Sequence, residues 1–133
     1  MKKAQVWLKE AEWDLKNAQI LFENQRYNTV IFLAQQASEK AVKALLFSEG
    51  LNGWGHSILN LLKKYAEIRN REIDSVEKEA LSLDREYIPT RYPDALPGLA
   101  PHEAYDKNDA KKALREAEEI IKFVKNEFNT NQN

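Results

Sequence analysis

All four glycines and all four prolines of this chain fall into two windows: Gly50, Gly53 and Gly55 in the first, and Pro89, Pro93, Pro97, Gly98 and Pro101 in the second. These two residue types interrupt regular backbone most strongly, so the stretches between the windows are free to run as continuous elements. In those stretches the apolar residues recur in alternating steps of four and three, the period of one helix face. Ala4, Leu8, Ala11, Leu15, Ala18 and Phe22 predict an amphipathic helix over 3–23. A turn at Gln25-Arg26-Tyr27, with Asn28 as cap, leads into a second helix over 28–49, where Val30, Ala34, Ala37, Ala41 and Leu45 set the period. Ile31, Leu33, Val42 and Leu46 widen its apolar arc, which marks it as the most buried helix.

Beyond the glycine window, Ser57 caps a shorter helix over 57–68 carrying Ile58, Leu61, Leu62 and Tyr65, and Ile73, Val76, Ala80, Leu83 and Tyr87 predict another over 73–87. The last run is Ala110, Ala113, Ala117, Ile121, Val124 and Phe128, with Asp106 and Asp109 suited to its positive N-terminal end. No stretch alternates with period two for long, and no repeat recurs along the chain. The expected fold is all-α: an up-and-down bundle of four main helices plus a shorter one, forming a single domain over residues 1–128 with a frayed tail over 129–133.

A chain of 133 residues can bury one core without staples. The 20 basic residues against 21 acidic ones leave a net charge of -1, so any attraction to nucleic acid has to come from a local patch, and an anionic membrane is not an expected partner. Cysteine is absent, which excludes disulfides, thiolate zinc sites and a cysteine nucleophile and fits a reducing compartment. Lys9, Glu10, Glu12 and Asp14 interrupt the first helix, so a signal peptide or membrane span is not expected there and the expected location is cytoplasmic. Two histidines, His56 and His102, without an H-E-x-x-H run, do not make a metal site, and the glycine-rich phosphate loops and the serine nucleophile elbow are missing.

Two segments carry the residues suited to chemistry. The first is the connection over 88–105, longer than helix-to-helix loops usually are. Its Tyr92, Leu96, Leu99 and Tyr105 are apolar anchors and its prolines lower the entropy lost on ordering, so it is expected to pack over the bundle in ordered form. Arg91, Asp94, His102 and Glu103 are its ionisable residues, with Arg85 just upstream. Arg91 either pairs with Asp94 to fix the loop or turns its planar fork to a phosphate, and His102 is either simply exposed or a general acid or base. The second segment is the polar stripe on the helix over 28–49, where Gln35, Glu39 and Lys43 follow at i, i+4 and Gln36, Lys40 and Lys43 lie alongside. A solvated face with a Glu39–Lys43 pair is one reading, and a cleft or subunit interface is the other. His56, just before the Ser57 cap, reads as a loop-fixing residue, and Trp7, Trp13 and Trp54 read as packing or interface residues.

Four runs taken in order, Trp7 to Leu15 with Ala18, Ala34 to Leu46, His56-Ser57-Ile58 and Tyr87 to Asp94, give a chain that resembles HEPN domains, the helical domains named from higher eukaryotes and prokaryotes nucleotide-binding. The resemblance covers nearly the whole chain. It implies a homodimer and a minimal nucleotidyltransferase as partner, in a toxin–antitoxin type of pair. It also implies a nucleotide such as ATP as ligand, no other cofactor, and RNA as a further ligand. The residues it singles out for nucleotide or partner contact are Gln36, Glu39, Lys40, Lys43, Arg85, Arg91, Tyr92, Asp94 and Tyr105. Toxins of this resemblance are metal-independent ribonucleases whose signature is an arginine, a short spacer and a histidine, often followed by a tyrosine. The counterparts in this chain are Arg91 and His102 with Tyr105 beyond, and the ten residues between Arg91 and His102 exceed the signature spacer. The binding and regulatory subunit is therefore the leading expectation. A ribonuclease using Arg91 and His102 and a purely structural oligomer are the alternatives.

Overall fold

A computed structural model describes residues 2–131, which form an all-α bundle. Helices α1 (Lys2–Glu23) and α2 (Tyr27–Ser48) make a hairpin closed by a tight turn with Gln25 in the left-handed region. Ala4, Ala11 and Ala18 of α1 and Ala34, Ala37, Ala41 and Ala44 of α2 are fully buried. Short side chains on both helices let the two axes approach closely. Thirteen of the 22 residues of α2 are buried, which makes it the central element against which α1 and the last helix pack.

Helices α3 (Ile58–Arg69) and α4 (Glu77–Asp84) are joined end to end by one carboxylate. Asp84 Oδ1 accepts from Ile58 N at 2.7 Å, and Oδ2 accepts from Leu59 N at 3.1 Å and from Ser57 Oγ at 2.8 Å. Ser57 Oγ in turn accepts from Asn60 N. Two free N–H groups at the start of α3 are thus met by a negative charge placed at the positive end of its dipole. The helix expected over 73–87 is shorter at both ends. Ile73 and Val76 are buried from a turn, in which Val76 N donates to Ile73 O, and the chain turns again after Asp84. Apolar spacing did not separate helix from turn here, because both bring the same side chains to the core. Among the described residues the long helices are α1, α2 and α6 (Lys107–Asn131), with α3 and α4 shorter.

The segment before α6 is ordered, as its anchors require, and holds a 3₁₀ turn at Pro93–Ala95 and the short α5 (Pro101–Ala104). Asn28 does not cap α2; its Nδ2 donates to Thr90 O at 3.1 Å, tying this segment to the start of α2. Thr90 is buried and its Oγ1 donates to Glu86 O. Asp106 and Asp109 cap α6 reciprocally, each carboxylate accepting from the other's backbone N–H at 2.9 Å. Of the tail expected to fray over 129–133, residues 129–131 continue α6. Asn131 Oδ1 accepts from Arg69 at 2.7 Å and from Arg71 at 3.3 Å, and its Nδ2 donates to the Tyr65 hydroxyl, which holds the last turn; residues 132–133 lie outside the described residues. No helix among the described residues is long and apolar enough to cross a membrane.

A cavity of about 80 Å³ separates α2, α4 and α6, and Glu116 of α6 reaches into it with 5% exposure. Ser82 Oγ donates to Glu116 Oε1 at 3.0 Å, but burial outweighs that bond and holds the carboxyl above its ordinary value.

Asp84→Ala removes all three bonds to α3 and is expected to cost roughly 1–2 kcal/mol, read from urea unfolding. Glu116 binds its proton more tightly folded than unfolded, so its contribution is fully present below the ordinary value of 4.5 and is lost as pH rises through the higher folded value. Glu116→Gln is accordingly expected to be more stable than wild type at neutral pH, and that advantage should shrink as unfolding is repeated at falling pH.

Candidate functional site

The polar stripe of α2 is not solvated. Gln35 is fully buried, Glu39 is 4% exposed and Lys43 is 9% exposed. The loop after α2 covers them. Gly53 sits so close that a Cβ there would lie 2.9 Å from Lys43 Cγ and 3.1 Å from Phe47 Cζ, so any larger residue would force these side chains to shift. Beneath this cover the polar groups satisfy one another. Gln36 Nε2 donates to Gln35 Oε1 at 2.7 Å, and Gln35 Nε2 donates to Glu39 Oε1 at 3.2 Å and to His56 O at 3.4 Å. Glu39 Oε2 lies 3.1 Å from Lys43 Nζ, the expected pair, and Oε1 lies 3.3 Å from His56 Nδ1. Lys40 stands apart from this chain and reaches across to Asp14 of α1 at 2.7 Å.

His56 carries the connection onward, because its ring stacks on Tyr87 with centroids 4.8 Å apart and planes 17° apart. Tyr87 is one of three rings that enclose Arg91. The guanidinium carbon lies 4.4 Å from the Phe32 centroid, 4.6 Å from Tyr87 and 4.8 Å from Tyr92, within the range where a ring face attracts a cation. Nε and Nη2 both donate to Tyr87 O at 3.2 Å. The expected Arg91–Asp94 pair does not form, since Asp94 lies on the exposed 3₁₀ turn while Arg91 is drawn back to the carbonyl and rings upstream. Nη1 makes no hydrogen bond among the described residues.

Arg91 lines a cleft of about 330 Å³ together with Asn28, Thr29, Phe32, Thr90, Pro101 and His102. The long spacing between Arg91 and His102 is therefore closed by the fold, with α5 returning the histidine to the arginine. His102 is exposed and without a hydrogen-bond partner among the described residues. Tyr105 does not join them. Its hydroxyl donates to Glu86 and it lines the Glu116 cavity, where burial and then the Glu86 carboxylate push its pKa well up. Arg85, at the end of α4, is exposed and lines no part of the cleft. Phe32 was not singled out from the sequence. The available signal was its position on the edge of the apolar arc of α2, beside the polar stripe.

Chemically, the cleft offers a guanidinium held on three sides with its free N–H groups available to an anion, beside the His102 imidazole. Among the described residues no histidine and carboxylate group is arranged to hold a metal ion.

Residues 4–127 match the HEPN domain family. A protein of Methanocaldococcus jannaschii named "Putative toxin MJ1304" is 31% identical over 94% of this chain and 88% of its own length. The crystal structure of TT1696 from Thermus thermophilus is 40% identical, with a TM-score of 0.89 over 95% of this chain and 98% of that one. ST0689, described as an archaeal HEPN homologue, is 37% identical with a TM-score of 0.80, covering 96% and 98% of the two chains. A HEPN domain protein of Thermotoga maritima is 31% identical with a TM-score of 0.74, covering 92% and 97%. By the extent of these matches and by its fold, the chain belongs to the HEPN domain family.

Proposed function

We propose that this protein is a HEPN subunit that recognises the phosphate of a nucleotide or an RNA strand through Arg91, and that it serves as the toxin-side member of a pair with a minimal nucleotidyltransferase. The observation that carries this reading is the Arg91 guanidinium, fixed over Phe32, Tyr87 and Tyr92 by two bonds to one carbonyl and lining an open cleft. An arginine immobilised before its ligand arrives loses little further side-chain freedom on binding. The toxin side rests on the name of the M. jannaschii relative, and the nucleotidyltransferase on the family resemblance. A homodimer is supported by Val6, Trp13 and Ile20, which lie seven residues apart on α1 and are 58%, 58% and 61% exposed, an apolar stripe suited to a protein contact.

A second reading, a metal-independent ribonuclease, is favoured by His102 sharing the Arg91 cleft. In it, the imidazole would take the proton of a ribose 2′-hydroxyl as that oxygen attacks phosphorus and the 5′-oxygen leaves, while Arg91 would stabilise the charge gathering on the phosphoryl oxygens. Against efficient catalysis, the His102 ring has no hydrogen-bond partner among the described residues to orient it.

Arg91→Ala is expected to weaken nucleotide or RNA binding by about tenfold or more, with Arg91→Lys failing to restore it because an ammonium lacks the planar fork. Isothermal titration at low salt measures this, and unchanged affinity in Arg91→Ala defeats the proposal. In an RNA-cleavage assay in EDTA, His102→Ala should abolish any activity while leaving affinity within about twofold. Intact RNA after incubation with wild type removes the nuclease reading and keeps the binding one.

A further inference from the structure

A second cavity, of about 410 Å³, lies outside the Arg91 cleft and is lined by Lys3, Trp7, Lys43, Phe47 and the loop from Asn52 to Gly55. Trp54 lines it with 85% exposure, the largest among the exposed large apolar side chains, so of the packing and interface roles expected for it the packing one is not taken within this chain. Its position is imposed by the residues around it. Gly53 is pressed onto Lys43 and Phe47 where a Cβ would force these side chains to shift, and Gly55 has a φ of +100°, which disfavours any residue with a side chain. Asn52 Oδ1 accepts from Trp54 N at 3.3 Å and from Lys64 Nζ at 2.9 Å, and Lys64 Nζ also donates to Asn52 O at 3.0 Å, which pins the loop to α3. The indole is thus held out in water by a fixed loop.

The charges beside it are positive. Lys3 has no carboxylate within ion-pair distance among the described residues, and its Nζ rests 4.1 Å from the Phe47 centroid. Lys43 is balanced by Glu39, and its Nζ lies 5.9 Å from the Trp7 centroid. Asn52 Nδ2 makes no hydrogen bond among the described residues. The cavity therefore offers one uncompensated cation, an amide donor and an aromatic face, which is what a flat base carrying a phosphate requires. An acidic peptide would use the lysine but leave the indole in water, and an apolar partner would strand the lysine.

We infer that this cavity is a second nucleotide subsite, with a base stacked on Trp54 and its phosphate on Lys3. It goes beyond the Arg91 cleft and stands or falls separately from it. Glu39, which pairs with Lys43 and with His56, lines neither site, and the two share no lining residue. The shared chemistry is a base with a phosphate, supplied either by a free nucleotide or by one residue of an RNA strand.

The test is tryptophan fluorescence of the full chain at low salt, titrated with AMP, ATP, a short single-stranded oligoadenylate and inorganic phosphate. At least one of the first three should quench the emission, and phosphate alone should not. Saturation by AMP or ATP identifies a free nucleotide as the source, and quenching by the oligomer alone identifies a strand. Trp54→Ala should remove the quenching and weaken binding at this subsite, followed by equilibrium dialysis in an Arg91→Ala background, by about tenfold. Lys3→Glu should weaken it with the indole still in place. Both positions are exposed, and circular dichroism checks that each variant retains its helices. Arg91→Ala should leave the quenching unchanged, so that loss of the cleft and loss of this subsite are told apart. No quenching by any probe, quenching that survives in Trp54→Ala, or quenching abolished by Arg91→Ala overturns the inference. So does a dimer that Trp54→Ala converts to monomer without any nucleotide response, which would make the indole a subunit contact.

Discussion

A carboxylate in the middle of the most buried helix has to be met by hydrogen-bonding partners or its burial is costly. Glu39 sets that condition for this protein. Its two oxygens are met by Gln35, Lys43 and His56, and each of these has to be delivered by a different route. Gln35 and Lys43 come from one turn away on either side in the same helix. His56 comes only if the chain leaves α2, passes tightly over Lys43 and returns. The close approach at Gly53 is therefore as much a part of the polar network as the charged groups. With His56 placed, Tyr87 has a ring to stack on, and with Tyr87 placed, Arg91 has both a ring face and a carbonyl. Breaking such a buried pair by removing one member is costly, since the other is left charged without a counterpart.

The fold was legible because breaker placement and helical period agree along this chain. The bounds of α1, α2 and α3 follow from Phe22, Leu45 and the Ser57 cap to within a residue or two. Where reading failed, the cause was tertiary. Nothing local distinguishes Ile73 and Val76 in a turn from the same residues in a helix, and nothing near Asn28 reveals that its amide is engaged by a carbonyl 62 residues away. Charges at i, i+4 fit a surface stripe as well as a covered one unless it is known that a loop folds over them, which is why a solvated face and a cleft or interface both stayed open for Gln35, Glu39 and Lys43.

The site was legible in parts. Arg91 and His102 stood out as residue types in an unusually long connection, but their meeting in one cleft depends on α5, four residues long and begun by Pro101. Tyr105 shows the converse. It lies three positions from His102 in sequence, yet one further turn of the chain sends it to Glu86 and into a different cavity. Proximity along a loop with several turns says little about proximity in space. The Arg91–Asp94 pair failed for the same reason, with the aromatic rings and the Tyr87 carbonyl offering the guanidinium a better-packed seat than an exposed carboxylate.

The bond from Asn28 to the Thr90 carbonyl bears on the order in which the molecule assembles. The hairpin of α1 and α2 closes through contacts near in sequence, whereas the Arg91 cleft needs the start of α2 to meet a segment 62 residues further along the chain. Contacts of short separation form early and those of long separation form late, because loop closure has to be met before they stabilise anything. On that ground the hairpin is expected to form before the Arg91 cleft is assembled. Occupancy of the cleft then depends on completed folding, and any ligand held there adds its binding free energy to the stability of the whole bundle.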